Sequence, residues 1–150
     1  MTWADFWILI DTLNGEADEA SCRRLAEELG SRPVPEIIGF ADRHAEALYR
    51  LDQEKFGVLP VVNMTDRDGS PFPQSADHFL YTRCAVVAAG RAAWEDVFID
   101  VDKFVPSRVG WCGRGRADHA RSGRLWFQGW CVDGRAADRC SRHGGHGAGS

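Results

Sequence analysis

The sequence predicts a mainly α protein, a small helical domain of about five helices over residues 1–106 followed by a disordered Gly/Arg-rich tail over residues 107–150. Three observations carry this reading: apolar residues recur at helical spacing up to about residue 100, caps and breakers punctuate them at helix-length intervals, and the composition changes abruptly after Pro106. Residues 1–106 hold 10 Lys and Arg against 19 Asp and Glu, a net charge of −9, whereas residues 107–150 hold 8 against 3, a net charge of +5, together with 10 of the 16 glycines. Glycine loses much backbone entropy on ordering, and the tail has few aliphatic side chains to offset that loss, so composition predicts disorder there.

The elements follow in order. Thr2 with Asp5 three residues later is a capping-box variant, and Trp3, Phe6, Trp7, Ile10 and Leu13 form one apolar face of a helix over about 3–13. Asn14-Gly15 breaks it. A second helix carries Cys22, Leu25, Ala26 and Leu29 on one face and ends at Gly30, read as its C′ residue, which makes a helical hairpin with the first. Ser31-Arg32-Pro33-Val34-Pro35 is a turn that sets proline at the start of a third helix. Its stripe is Ile37, Ile38, Ala41, His44, Ala45, Leu48 and Leu51, and it ends near residue 52. Phe56 to Val62, interrupted by Gly57 and Pro60, fits a helical turn or a short strand equally. Asp66 to Pro73 is a loop, Ser75 caps a fourth helix reaching Ala89 that is buried on more than one side, and Gly90 separates it from a fifth over Arg91 to about Phe98. An acidic turn, Asp100 to Lys103, follows.

A chain of 150 residues buries enough surface to fold without staples. Five cysteines at irregular spacing (Cys22, Cys84, Cys112, Cys131 and Cys140) do not suggest a disulfide framework, and the first residues lack the pattern of a secretory signal. The expectation is a reduced, cytoplasmic protein. The longest apolar runs, such as Ala85 to Ala89, are far shorter than the roughly 20 residues that span a bilayer, so no membrane partner is expected.

The opening Thr2-Trp3-Ala4-Asp5-Phe6-Trp7 with Ile10-Asp11, the segment Pro35-Glu36-Ile37-Ile38-Gly39-Phe40, and Phe79-Leu80-Tyr81-Thr82-Arg83 through Gly90-Arg91 resemble a bacterial family labelled domain of unknown function 4240. The resemblance covers about residues 1–105. It implies a small helical domain and supplies no known catalysis. Family members usually carry a Trp- and Gly-containing segment where this chain has Asp52-Gln53-Glu54-Lys55-Phe56-Gly57, which marks it as a divergent member. They also commonly continue into an acidic, aromatic-containing helix, here replaced by Trp111-Cys112-Gly113-Arg114-Gly115-Arg116 and similar text. Two accounts of the tail stand: a genuine basic extension, or a shifted reading frame in a GC-rich gene, which the Arg, Gly, Ala, Trp and Cys vocabulary favours.

Three constellations offer chemistry. Cys112, His119, Cys131, Cys140, His143 and His146 are zinc-ligand types, but no C-x2-C knuckle accompanies them, so neither a metal nor another cofactor is expected. Arg114, Arg116, Arg121, Arg124 and Trp126 interleave guanidinium groups with an aromatic ring, as a nucleic-acid contact would, against the repulsion of the acidic body. In the body, Asp77, His78, Tyr81, Arg83 and Arg91 surround the fourth helix and its closing glycine, where a small anionic or planar ligand would meet them; the plainer alternative is a core-edge tyrosine and arginines paired with surplus carboxylates. His44 is read as a packed or surface histidine. No phosphate-binding loop, nucleophile elbow, HExxH pair or dinucleotide fingerprint is present, so the chain is not expected to be an enzyme. The expected role is a non-enzymatic binding or regulatory accessory protein engaging an unknown protein partner through the helical body. Its association with the resemblance suggests modulation of secondary metabolism (antibiotic production) or of development in an actinobacterium. The alternative is a nucleic-acid-associated regulator acting through the basic tail.

Overall fold

Capping governs where the chain turns helical. The computed structural model describes residues 1–106; the expected tail disorder, the frame-shift account, the zinc-ligand types of the tail and its nucleic-acid contacts lie outside the described residues. Thr2 and Asp5 form the reciprocal capping box that opens α1 (Trp3–Ile10), which tightens into a 3-10 turn over Asp11–Leu13. Asn14 and Gly15, both at positive φ, then reverse the chain. Asp18 accepts a 2.6 Å bond from the Ser21 amide and starts α2 (Glu19–Gly30).

The expected C′ role of Gly30 is not observed. Gly30 is the last residue of α2, and the chain leaves through Ser31 in a right-handed conformation, so no left-handed residue is needed. Pro33 is the N-cap of α3 (Val34–Arg50) and Pro35 lies in its first turn. The buried face of α3 is also rotated from the expected stripe: Phe40, His44, Ala47 and Leu48, with Leu51 beyond the helix, are buried, while Ala41 and Ala45 are exposed and Ile38 is 52% exposed. The rotation follows from α3 packing against α1 on one side and α5 on the other, which the helix's own periodicity does not specify.

Residues 54–57 form one helical turn, α4 (Glu54–Gly57), which takes in only the first two residues of the Phe56 to Val62 run and brings the α-helices among the described residues to six. The segment from Val58 to Ser75 has no strand; it carries an isolated antiparallel bridge between Thr65 and Pro71 and a crossing at Val61, whose amide donates to the Phe72 carbonyl at 2.8 Å. The Gln74 side-chain amide then donates to the carbonyls of Phe56 and Leu59 at 2.8 and 2.9 Å, fixing the loop against α4. Ser75 caps α5 (Ala76–Ala88), and Gly90 at φ +96° leads into α6 (Arg91–Ile99) and a 3-10 turn over Val101–Lys103. Thr82, Cys84, Val86, Val87 and Ala88 are all buried, so α5 is enclosed on more than one side, as the sequence pattern predicts.

Two aromatic clusters fill the core. Trp3, Phe6 and Trp7 from α1 meet Phe40 from α3 and Trp94 from α6, with ring centroids 4.8–6.1 Å apart. Phe56 of α4 stacks on Phe104 at 4.7 Å, and Phe79 and Phe98 close the second cluster. Beyond Phe104 the chain stays tied to the body, since the Val62 amide donates to the Pro106 carbonyl at 2.7 Å. Among the described residues no helix is long and apolar enough to cross a membrane.

Candidate functional site

The five body residues singled out by sequence take up separate local roles. Asp77 is exposed in the first turn of α5. His78 belongs to the cap: its amide donates to the Ser75 hydroxyl at 3.2 Å, and its ring nitrogen Nδ1 lies 3.3 Å from the same oxygen. Tyr81 is half-buried one turn beyond Asp77. Arg83 lies with its guanidinium 4.6 Å above the Phe79 ring and forms an ion pair with Asp52 Oδ1 at 3.2 Å. The Arg83 Nε is buried without a hydrogen-bond partner, which marks its position as costly to maintain. Arg91 pairs with Glu95 along α6 at 2.7 Å. Arg83 is thus brought to Asp52 and Phe79, while Arg91 serves its own helix. Among the described residues no three His, Cys, Asp or Glu side chains are grouped to hold a metal ion.

A groove of about 300 Å³ opens elsewhere, between the end of α3 and α6, lined by Arg50, Gln53, Trp94 and Phe98. Its construction follows from helical spacing. Trp94 and Phe98 are one turn apart on α6, so their rings lie together, edge to face at 4.9 Å. Arg43, Glu46 and Arg50 form a ladder along α3: the Glu46 carboxylate accepts from both guanidinium groups at 2.6 Å. Those bonds, the one from Arg50 foremost, hold the Glu46 carboxyl below its ordinary range.

The ladder places cations on rings. Arg50 lies 5.1 Å from the Trp3 ring and 5.9 Å from Trp94, and Arg43 lies 5.4 Å from Trp3. From the next segment, Lys55 sits 4.7 Å from the Phe56 ring and 5.6 Å from Phe98. Gln53 is fixed between them by its side-chain amide, which donates to the Arg50 carbonyl at 2.7 Å. Elsewhere on α3, His44 stacks on Phe40, buried, and burial pushes it down to about 4, which keeps the imidazole neutral at physiological pH.

The lining groups are a guanidinium, a carboxamide and two hydrocarbon-rich rings, none of which is a nucleophile or a proton-transfer group near neutral pH. What they can do is hold a ligand by stacking and by charge. The sequence reading missed this groove. Its separate halves are visible, an R-x2-E-x3-R ladder and a W-x3-F pair, but the approach of Trp94 to the end of α3 joins positions over 40 residues apart.

A sequence model of a family described as "Protein of unknown function (DUF4240)" matches residues 1–110, the stretch in which the resemblance was found. No curated protein matches the chain, and no solved structure does.

Proposed function

The chain belongs to the DUF4240 family of proteins of unknown function, and from that premise and its own geometry we propose that it is a non-enzymatic binding protein whose ligand site is the groove between α3 and α6. The carrying observation is the composition of that groove, an aromatic floor of Trp94 and Phe98 beneath Arg50 and Gln53, with no reactive side chain among its lining. Concave sites with apolar floors and a few oriented polar groups are the usual form of small-ligand sites. The wider role belongs to the same proposal: a cytoplasmic accessory regulator, modulating secondary metabolism or development in an actinobacterium, that passes its bound state to a protein partner. The groove supports only the binding half of it, and the reducing location is supported by five irregularly spaced cysteines. A nucleic-acid role for the tail is favoured by its net charge of +5 against −9 for the body.

The test is a screen of small aromatic fragments by two-dimensional amide and indole NMR on the full chain. Saturable shifts of the Trp94 indole N–H and the Gln53 side-chain amide support the proposal. Shifts that map only to other surfaces, or none at any concentration, overturn it.

A further inference from the structure

We propose that the ligand of this groove is a planar anion, an aromatic ring system bearing a carboxylate, with its rings in the groove beside Trp94 and Phe98 and its charge held by Arg50 and Lys55. The inference rests on the groove being the binding site and specifies what it takes. Its first support is local charge. The body carries −9 overall, yet three cations, Arg43, Arg50 and Lys55, lie against the groove rings and their neighbours Trp3 and Phe56, with Glu46 bonded to two of them. Asp52, the nearest acidic residue before Gln53, is engaged with Arg83. Cations held at these rings give an anion a local partner in an otherwise acidic protein.

The second support is what the rings already hold. Trp94 faces Arg50, and Phe98 faces Lys55. A cationic ligand would meet Arg50 and Lys55 as like charges, whereas an anion pairs with them. The third is shape. A groove of about 300 Å³ is at the small end of ligand sites, and two of its four lining side chains are aromatic, which suits a small flat molecule. Gln53, tethered through its amide nitrogen to the Arg50 carbonyl, keeps its side-chain oxygen to accept a hydrogen bond from a ring N–H or hydroxyl.

The experiment compares 2-naphthoate with the neutral 2-naphthylmethanol on the full chain, following the Trp94 indole N–H by NMR. The expected result is that naphthoate binds at least about tenfold more tightly, that its advantage shrinks as salt rises, that Lys55→Gln reduces the advantage to about threefold or less, and that Lys55→Arg keeps it. Equal binding of the two compounds, or an undiminished advantage in Lys55→Gln, overturns the anion assignment and leaves the groove as a site. Absence of any groove shift with either compound overturns both.

Discussion

The indole N–H of Trp94 donates to the backbone carbonyl of Ala47 at 3.1 Å, across 47 positions of sequence. Ala47 is the first of the four final residues of α3, whose carbonyls lack a full set of intrahelical partners, and the Leu51 amide beyond it donates to Leu48 at 3.1 Å. Trp94 therefore caps α3 from another helix, and the same side chain forms the groove floor.

Trp94→Phe keeps an aromatic ring and removes the donor. Ala47 is fully buried, so its stranded carbonyl is expected to cost about 1–3 kcal/mol, with some lost packing added. Urea denaturation measures it, and a variant within about 0.5 kcal/mol of the parent would show the bond to be inconsequential.

Two glycines should respond to alanine in opposite directions. Gly90 has φ +96° and ψ 176°, a conformation almost confined to glycine, while an added Cβ would meet only Asp11 Oδ1 at an ordinary 3.6 Å. Gly90→Ala is therefore expected to lose about 1–3 kcal/mol through the backbone alone. Gly30 sits in the last turn of α2 with open space around it, and Gly30→Ala should gain about 0.4–1 kcal/mol. Thermal melting of both variants decides the matter, and the two shifts must differ in sign.

Stability should fall with acidity in a window set by His44. Its folded value of about 4 lies below the ordinary 6.5, so below pH 6.5 the unfolded chain binds a proton that the folded chain does not. The native state is favoured in full above pH 6.5 and loses ground as the pH falls toward 4. At pH 4.5 the loss is about 2–3 kcal/mol relative to pH 7.5. His44→Leu should remove this part of the slope; parallel pH profiles of parent and variant would contradict the assignment.

Phe104 is expected to be as costly to truncate as any helical core residue. It is 1% exposed and stacks on Phe56 at 4.7 Å, with Phe79 at 6.0 Å. Phe104→Ala should cost about 3–5 kcal/mol, read from the denaturation midpoint, and a change under 1 kcal/mol would show that the segment after α6 is dispensable.

Much of the helical framework was legible because its signals are local. Thr2 with Asp5, Ser75, and the pair Asn14-Gly15 each act within a few residues of themselves, and the structure uses all of them. The errors occur where a distant partner decides. Gly30 resembles a helix terminator, but Ser31 turns the chain without a left-handed residue. Phe40 and Ala47 lie outside the expected α3 stripe although both are buried, because the packing of α1 and α5 against that helix rotates its buried face. The groove is least visible, since Arg50 and Trp94 carry no sequence motif in common and acquire a joint meaning only where Trp94 meets the end of α3.

Trp3, Trp7 and Trp94 place three indoles from two helices within 5.6–6.1 Å of one another. At such separations their electronic transitions couple, and the coupling depends on how α1 and α6 are set together. The folded body thereby carries its own optical gauge: a near-ultraviolet circular dichroism signal that reports the docking of those helices, as distinct from their helicity. Because Arg50 lies against two of the three rings, any occupant that shifts its guanidinium should alter this signal without a dye or label.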